Sequence, residues 1–232
     1  MRVVQSLNDP ATLCNQMMEN KYYDRDCRRC SRLASFLDTV HERYPDYHAR
    51  PVAPFGPLPA ALLIVGLAPG MHGANASGRP FTGDYAGILL FSTLHAFGFA
   101  SRADVQGRDD GLALHDCRLT NAVKCLPPQN RPIGSEIRNC NGFLAAEIAA
   151  TQPRVILALG RVAHEAVLRA QGYRLREYAF AHGAEHLLAN GIHLHDSYHC
   201  SRYNTQTRRL TPDMFTAVVA SIRRRLDRRD AI

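Results

Sequence analysis

The sequence predicts an α/β protein whose sheet is mainly parallel and covered on both faces. Three observations carry that expectation. Short aliphatic runs (ALLIV at 61–65, CRLTNAV from Cys117, and RVILALG) have the length of buried strands. Longer segments with apolar residues at helical spacing lie between them. The two kinds alternate along the chain, as they do where helices connect parallel strands.

Taken in order, residues 27–44 (CRRCSRLASFLDTVHERY) place Leu33, Phe36, Leu37 and Val40 at helical spacing, and Pro45 ends that helix. Residues 49–61 hold four prolines and a glycine, which excludes a helix. The first strand, 61–65, runs into a glycine-rich loop opening at Gly66. Residues 85–99 have helical spacing, and a second strand starts near Cys117 and gives out around Asn121. SEIRNCNGFLAAEIAA is a helix with Ser135 as its N-cap. RVILALG followed by RVAHEAVLRA reads as strand, glycine turn and helix. HLLANGIHLHDSYH is a hairpin around Asn190 and Gly191. The tail helix starts with Thr211 as cap and Pro212 at the first helical position.

At 232 residues the chain suits one domain spanning 1–232. It has no apolar run of 18 residues, so no membrane span is expected, and MRVVQSLNDPATLCNQ lacks a signal-peptide core, so a cytoplasmic location is expected. The formal charge of +7 favours a polyanionic partner, nucleic acid being the commonest, although net charge also serves solubility. In parallel sheets ligands bind beyond the carboxyl ends of strands. Three polar segments fall there: 66–84, 121–125 and 195–204.

Seven cysteines argue against a disulfide framework in an intracellular chain. Cys27 and Cys30 form a C-x2-C, and Cys125 and Cys140 enclose fourteen residues. Two distant pairs can converge on one four-thiolate site. Spacing alone leaves zinc, [4Fe–4S] and ordinary buried cysteines all open. Cys14, Cys117 and Cys200 are expected to be unligated.

The loop GLAPGMHGANASGRPFTGD carries five glycines and two prolines but neither G-x-G-x-x-G nor G-x-x-x-x-G-K-[ST]. With GRPFTGD, TNAVKCLPPQNRP, SYHCSRYNTQTRRLT and the four cysteines, it resembles the uracil-DNA glycosylase superfamily, most closely family 5, the B-type enzymes. The resemblance spans residues 27 to about 213. It implies a three-layer α/β/α sandwich around a short, mainly parallel sheet. It also implies a structural [4Fe–4S] cluster on Cys27, Cys30, Cys125 and Cys140.

The same resemblance implies a base-excising site. Family 5 is similar to this chain in having alanine, Ala68, where many relatives carry a water-activating residue, so Asp84 is the candidate acid. Ala68 and Gly70 bring backbone close to a flipped base, Phe81 stacks on it, and Asn121 reads its edge. Asp84 orients water or stabilises the sugar cation, and His199 stabilises the departing base anion. Ser201 and Arg202 are expected at phosphates, with Tyr203 or a neighbour as a wedge. Cys200 stands where superfamily members commonly have proline, and Ala76-Ser77 where an Arg-Thr pair is expected. The expected partner is double- or single-stranded DNA containing uracil, with no membrane partner and the chain acting as a monomer. Two other classes stay open: a non-catalytic, metal-containing nucleic-acid-binding module, and a nucleotide enzyme acting on small molecules. No G-x-S-x-G elbow is present to support a hydrolase triad.

Overall fold

Four strands run parallel through the middle of the molecule and a fifth, antiparallel, closes one edge. The computed structural model describes residues 22–105 and 107–228. The elements, in order, are α1 (Ser31–Arg43), β1 (Leu62–Gly66), α2 (Ala74–Ser77), α3 (Tyr85–Ala96), β2 (Cys117–Asn121) and α4 (Gly134–Thr151). Then come β3 (Val155–Leu159), α5 (Arg161–Ala170), β4 (Glu185–Leu187), β5 (His193–Ser197), α6 (Arg202–Gln206) and α7 (Pro212–Asp227). The sheet order is β2-β1-β3-β5-β4. Leu62 faces Cys117 on one side and Val155 on the other, and Val155 faces His193.

Alternation along β1 explains the three layers. Leu62 and Ile64 point into one core with Leu90, Phe91 and Leu94 of α3 and Phe215, Val219 and Ile222 of α7. Leu63 and Val65 point into the opposite core with Leu144 and Ile148 of α4 and Ala163 and Val167 of α5. All five residues of β1 are buried, so the strand reads as continuous aliphatics, as central parallel strands do. Burying each such side chain contributes about 1.5–3 kcal/mol. A third cluster packs Leu33, Leu37 and Val40 of α1 against Val123, Leu126 and Phe143.

Most expected elements are present, with local shifts. The first strand lies one residue later than expected, because Ala61 stands before the ladder, its N–H donating to Asp116 Oδ1. The helix at 85–99 stops at Ala96, and Phe99 folds back, its N–H donating to Leu94 O. Ser135 is not the cap of α4. The helix begins at Gly134 with Ile133 at the cap position, where Glu136 Oε2 accepts from the Ile133 N–H at 2.8 Å. The hairpin and the Thr211 cap are as expected, Thr211 Oγ1 accepting from Met214 N–H. Cys14 lies outside the described residues. No helix among the described residues is long and apolar enough to cross a membrane.

Candidate active site

The loop that leaves β1 owes its composition to close approach. A Cβ on Gly66 would collide with the Asn121 Oδ1 and with the Phe81 ring. One on Gly73 would stand 2.5 Å from Asp84 Cβ and 2.7 Å from its Oδ2. Glycine at these positions lets the backbone of residues 66–73 touch Asn121, Phe81 and Asp84 together. Phe81 itself has φ +56°, a conformation that costs a bulky residue about 1–3 kcal/mol. Its carbonyl lies where a Gly87 side chain would project, so α3 packs directly on the strained peptide.

Asp84 is the N-cap of α3, its Oδ1 accepting from the Gly87 N–H at 3.2 Å. Burial raises its pKa above the ordinary carboxylate range, and hydrogen bonds from Gly87 and Ala86 oppose the rise. Its second oxygen lies against Gly70 and Gly73. A solvent-open cleft of about 530 Å³ borders Asp84 and Phe81, with Tyr85, Ile88 and Val105 on its walls. Ligand sites usually enclose about 300–1,000 Å³. Asn121 and His199 border the same Phe81 ring without lining that cleft.

Asn121 ends β2 and is buried, its Oδ1 set against Gly66 beside the Phe81 ring. His199 follows β5, its ring centroid 6.4 Å from that of Phe81. The imidazole is half-buried, its ring nitrogens have no partner among the described residues, and desolvation pushes its pKa down to about 4. It is therefore neutral at pH 7 and able to donate one N–H. The backbone behind it is fixed by Asn204 Nδ2 donating to His199 O at 2.8 Å. Cys200 is fully buried beside Leu210 and Phe215 in the α3–α7 core. Burial pushes its thiol up to about 12, and the nearby Asp84 charge adds to the rise. Phe81 borders His199 on one side and shares a cleft with Asp84 on the other, beyond the carboxyl ends of β1 and β5.

Ala68 and Gly70 are partly exposed on the loop. Ser201 Oγ accepts from Asn204 N–H as the cap of α6, so this hydroxyl has a local structural use. Arg202 and Tyr203 point to solvent, Tyr203 at 71% exposure. Cys27, Cys30, Cys125 and Cys140 line one largely apolar pocket with Leu33, Val123 and Phe143. Burial, then the neighbouring sulfurs, raises the Cys125 thiol. Burial raises that of Cys140 too, opposed by the Lys124 charge and by the Lys124 N–H, which donates to its sulfur at 3.3 Å. Asn139 Nδ2 donates to Cys30 Sγ at 3.5 Å. Four sulfurs lining one pocket, two of them accepting N–H donors, suit a shared cationic centre.

A family profile described as "Uracil DNA glycosylase superfamily" matches residues 53–223, which cover the segments 66–84, 121–125 and 195–204. The chain belongs to this superfamily. It is 44% identical over 204 residues to a type-5 uracil-DNA glycosylase of Thermus thermophilus, covering 85% of this chain and 93% of the relative. A type-5 uracil-DNA glycosylase of Pyrobaculum aerophilum is 42% identical over 198 residues, covering 84% of this chain and 86% of the relative. One of Mycobacterium leprae is 40% identical over 197 residues, with 81% and 86% covered.

Two supports of this superfamily site were not foreseen. Arg79, inside GRPFTGD, is buried and uses all five N–H donors. It pairs with both oxygens of Asp110, donates to the carbonyls of Gly107 and Arg108, and donates to Thr82 Oγ1. The 107–110 loop is thereby tied to the Phe81 segment. Glu147 of α4 is fully buried. It accepts from Arg118 at 3.0 Å, from Thr120 Oγ1 at 2.7 Å and from Lys124 Nζ at 2.7 Å, holding both ends of the segment that carries Asn121. Neither was foreseeable from spacing, since Asp110 lies 31 residues from Arg79 and Glu147 lies 23 from Lys124. His72, within the motif, pairs through Nδ1 with Tyr47 Oη at 2.9 Å.

Proposed function

We propose that the chain is a monofunctional DNA N-glycosylase that removes uracil from DNA by hydrolysis, opening base excision repair. The observation that supports it most is the meeting of a half-buried carboxylate (Asp84), a neutral imidazole (His199) and a buried amide (Asn121) around one aromatic ring (Phe81). Cleaving an N-glycosidic bond develops positive charge on the sugar and negative charge on the base. A carboxylate and an N–H donor answer those two charges.

A stacked base is out of reach, so the nucleotide leaves the duplex first, at a cost of a few kcal/mol. Phe81 stacks on the base, Asn121 pairs with its edge, and Ala68 and Gly70 offer backbone rather than side chains against it. Asp84 Oδ2 holds the attacking water or the cation, and neutral His199 donates to the base oxygen. Arg202 and Ser201 meet phosphate, and Tyr203, exposed on a short helix, enters the gap. Excision of deaminated purines such as hypoxanthine belongs to the same proposal. Asp84, a short acid on a glycine-lined loop, leaves room on the base side. The chain is proposed to work as one domain and as a monomer, in the cytoplasm.

Cys27, Cys30, Cys125 and Cys140 would hold a [4Fe–4S] cluster. Among the described residues, three ligand atoms come within 4.8 Å of one another only at a histidine–aspartate group elsewhere. The four sulfurs are thus more widely spread than a single zinc ion needs, about 3.8 Å from its Zn–S length of about 2.3 Å. The cluster's contribution is structural: it ties α1 and α4 to the segment 121–125, and so holds Asn121. Incubating the protein with oligonucleotides carrying uracil, hypoxanthine or xanthine, with alkaline cleavage of abasic sites, tests the reading. Binding without abasic product would instead identify a non-catalytic DNA-binding module.

A further inference from the structure

Away from this site, Asp196 of β5 is fully buried. Its main chain is satisfied, Asp196 N–H donating to Ala184 O and Asp196 O accepting from Gly183 N–H. Its side chain meets two imidazoles: Oδ1 lies 2.8 Å from His164 Nδ1 and Oδ2 lies 3.4 Å from His186 Nε2. The three residues come from α5, β4 and β5, and their ligand atoms lie within 4.8 Å of one another.

The tautomer of His164 decides what this group needs. Its Nε2 faces the Tyr178 carbonyl at 3.0 Å. A carbonyl only accepts, so Nε2 carries the hydrogen, which leaves Nδ1 as a lone pair in the neutral ring. That lone pair faces a carboxylate oxygen in a buried place, where uncompensated negative charge is costly. A positive centre belongs between them. A ring N–H anchored on a carbonyl, with the other nitrogen turned to a carboxylate and a second imidazole, is the outer-shell pattern of a metal-ligating histidine.

We propose that His164 Nδ1, His186 Nε2 and a carboxylate oxygen of Asp196 form a divalent transition-metal site, with zinc as the expected occupant. Two imidazoles and one carboxylate are ligands that zinc accepts, with water as the fourth. Bonds of about 2.0–2.2 Å in a tetrahedron set ligand atoms about 3.3 Å apart. His186 Nε2 stands 3.4 Å from Oδ2 and His164 Nδ1 stands 2.8 Å from Oδ1, and one ligand atom from each residue lies within 4.8 Å of the others, so small side-chain shifts make room for the ion. His186 is 17% exposed and gives the ion its entry path. The ion would staple the three-residue edge strand β4 to β5 and α5, three residues before His199 on the chain.

The test uses the full chain, with any affinity tag removed and the four-cysteine site left loaded as purified. Titration with Co²⁺ should show one saturable tetrahedral ligand-field spectrum without thiolate charge transfer, competed away by Zn²⁺. Zn²⁺ should also raise the melting temperature. His186→Gln, at a partly exposed position, should weaken this binding by more than about 100-fold, since even outer-shell changes cost about 10–100-fold. It should also abolish the melting-temperature response. Absence of a thiolate-free cobalt spectrum in the unaltered chain would overturn the proposal. So would equal binding by His186→Gln. Either result assigns the positive centre to a proton, as a buried His164–Asp196 ion pair.

Discussion

Gly73→Ala tests the geometry of the site without removing a functional group. The added Cβ would stand 2.5 Å from Asp84 Cβ and 2.7 Å from its Oδ2, where ordinary contact begins near 3.4 Å. Asp84 is tied to α3 through Gly87, so it cannot rotate away and has to move by roughly 0.7–0.9 Å. A misplacement of about 1 Å costs about 100-fold in rate, equivalent to about 2.7 kcal/mol of barrier. Single-turnover release of uracil from a duplex oligonucleotide should therefore slow by about two orders of magnitude. The far-ultraviolet circular dichroism should be retained. Asp84→Asn alone, and combined with Gly73→Ala, closes a double-mutant cycle. If the glycine acts by seating the carboxylate, the double variant is no slower than Asp84→Asn. Full additivity, or a Gly73→Ala rate within about threefold of the original, would refute the reasoning.

Other outcomes follow from the same structure. Burial raises the Asp84 pKa, so its charged form weakens the fold, and the stability it gives is present below the unfolded value of about 3.9 and lost as pH rises through the folded value. Asp84→Asn, which keeps an N-cap acceptor, should melt higher than the original at pH 7 by calorimetry while losing about 10²–10⁴-fold in rate. A lower melting temperature would contradict that. The His199 pKa near 4 keeps the ring neutral above about pH 6, so His199→Gln should lower the rate without changing its pH dependence between about pH 6 and 8. Charging His199 also removes stability as pH falls from about 6.5 towards 4, by about 3 kcal/mol at most and less because the ring is half-buried. Glu147→Gln leaves Arg118 and Lys124 buried without their anion and should cost about 3–5 kcal/mol in urea unfolding. Cys125→Ser should lose the absorbance and acid-labile sulfide expected of an iron–sulfur protein, and zinc content unaccompanied by iron in the original chain would contradict the cluster.

Local signals in the sequence were enough to place most of the fold. β1 and β3 are continuous aliphatics because helices cover both their faces, and that composition survives in any context. Thr211-Pro212 and Asn190-Gly191 carry their own turn chemistry, so the ends they mark fall where expected. Ser135 misled because a serine near a helix start is a cap only if its backbone is extended. Here the extended residue is Ile133, and Glu136 supplies the partner that Ile133 lacks. The glycine loop was legible as close-packed backbone, but what it packs against was not. The contact of Gly66 with Asn121 depends on how β1 and β2 line up, and that of Gly73 with Asp84 on how the loop folds back on itself. The ion pairs of Arg79 and Glu147 and the His164–His186–Asp196 group join residues far apart in sequence, with no periodic spacing to announce them. Cys200, a departure at the sequence level, is accommodated because its thiol is buried in the α3–α7 core, which anchors the turn after His199 without a proline.

The most direct measurement is the appearance of abasic sites in a duplex oligonucleotide with a single uracil, comparing the original chain with Asp84→Asn at equal concentration. A strong alkali-sensitive product at the uracil position with the original chain, reduced at least about 100-fold by the substitution, is the predicted result. Product that forms equally fast with both chains would contradict the role given to Asp84, and no product with either would contradict glycosidic cleavage itself.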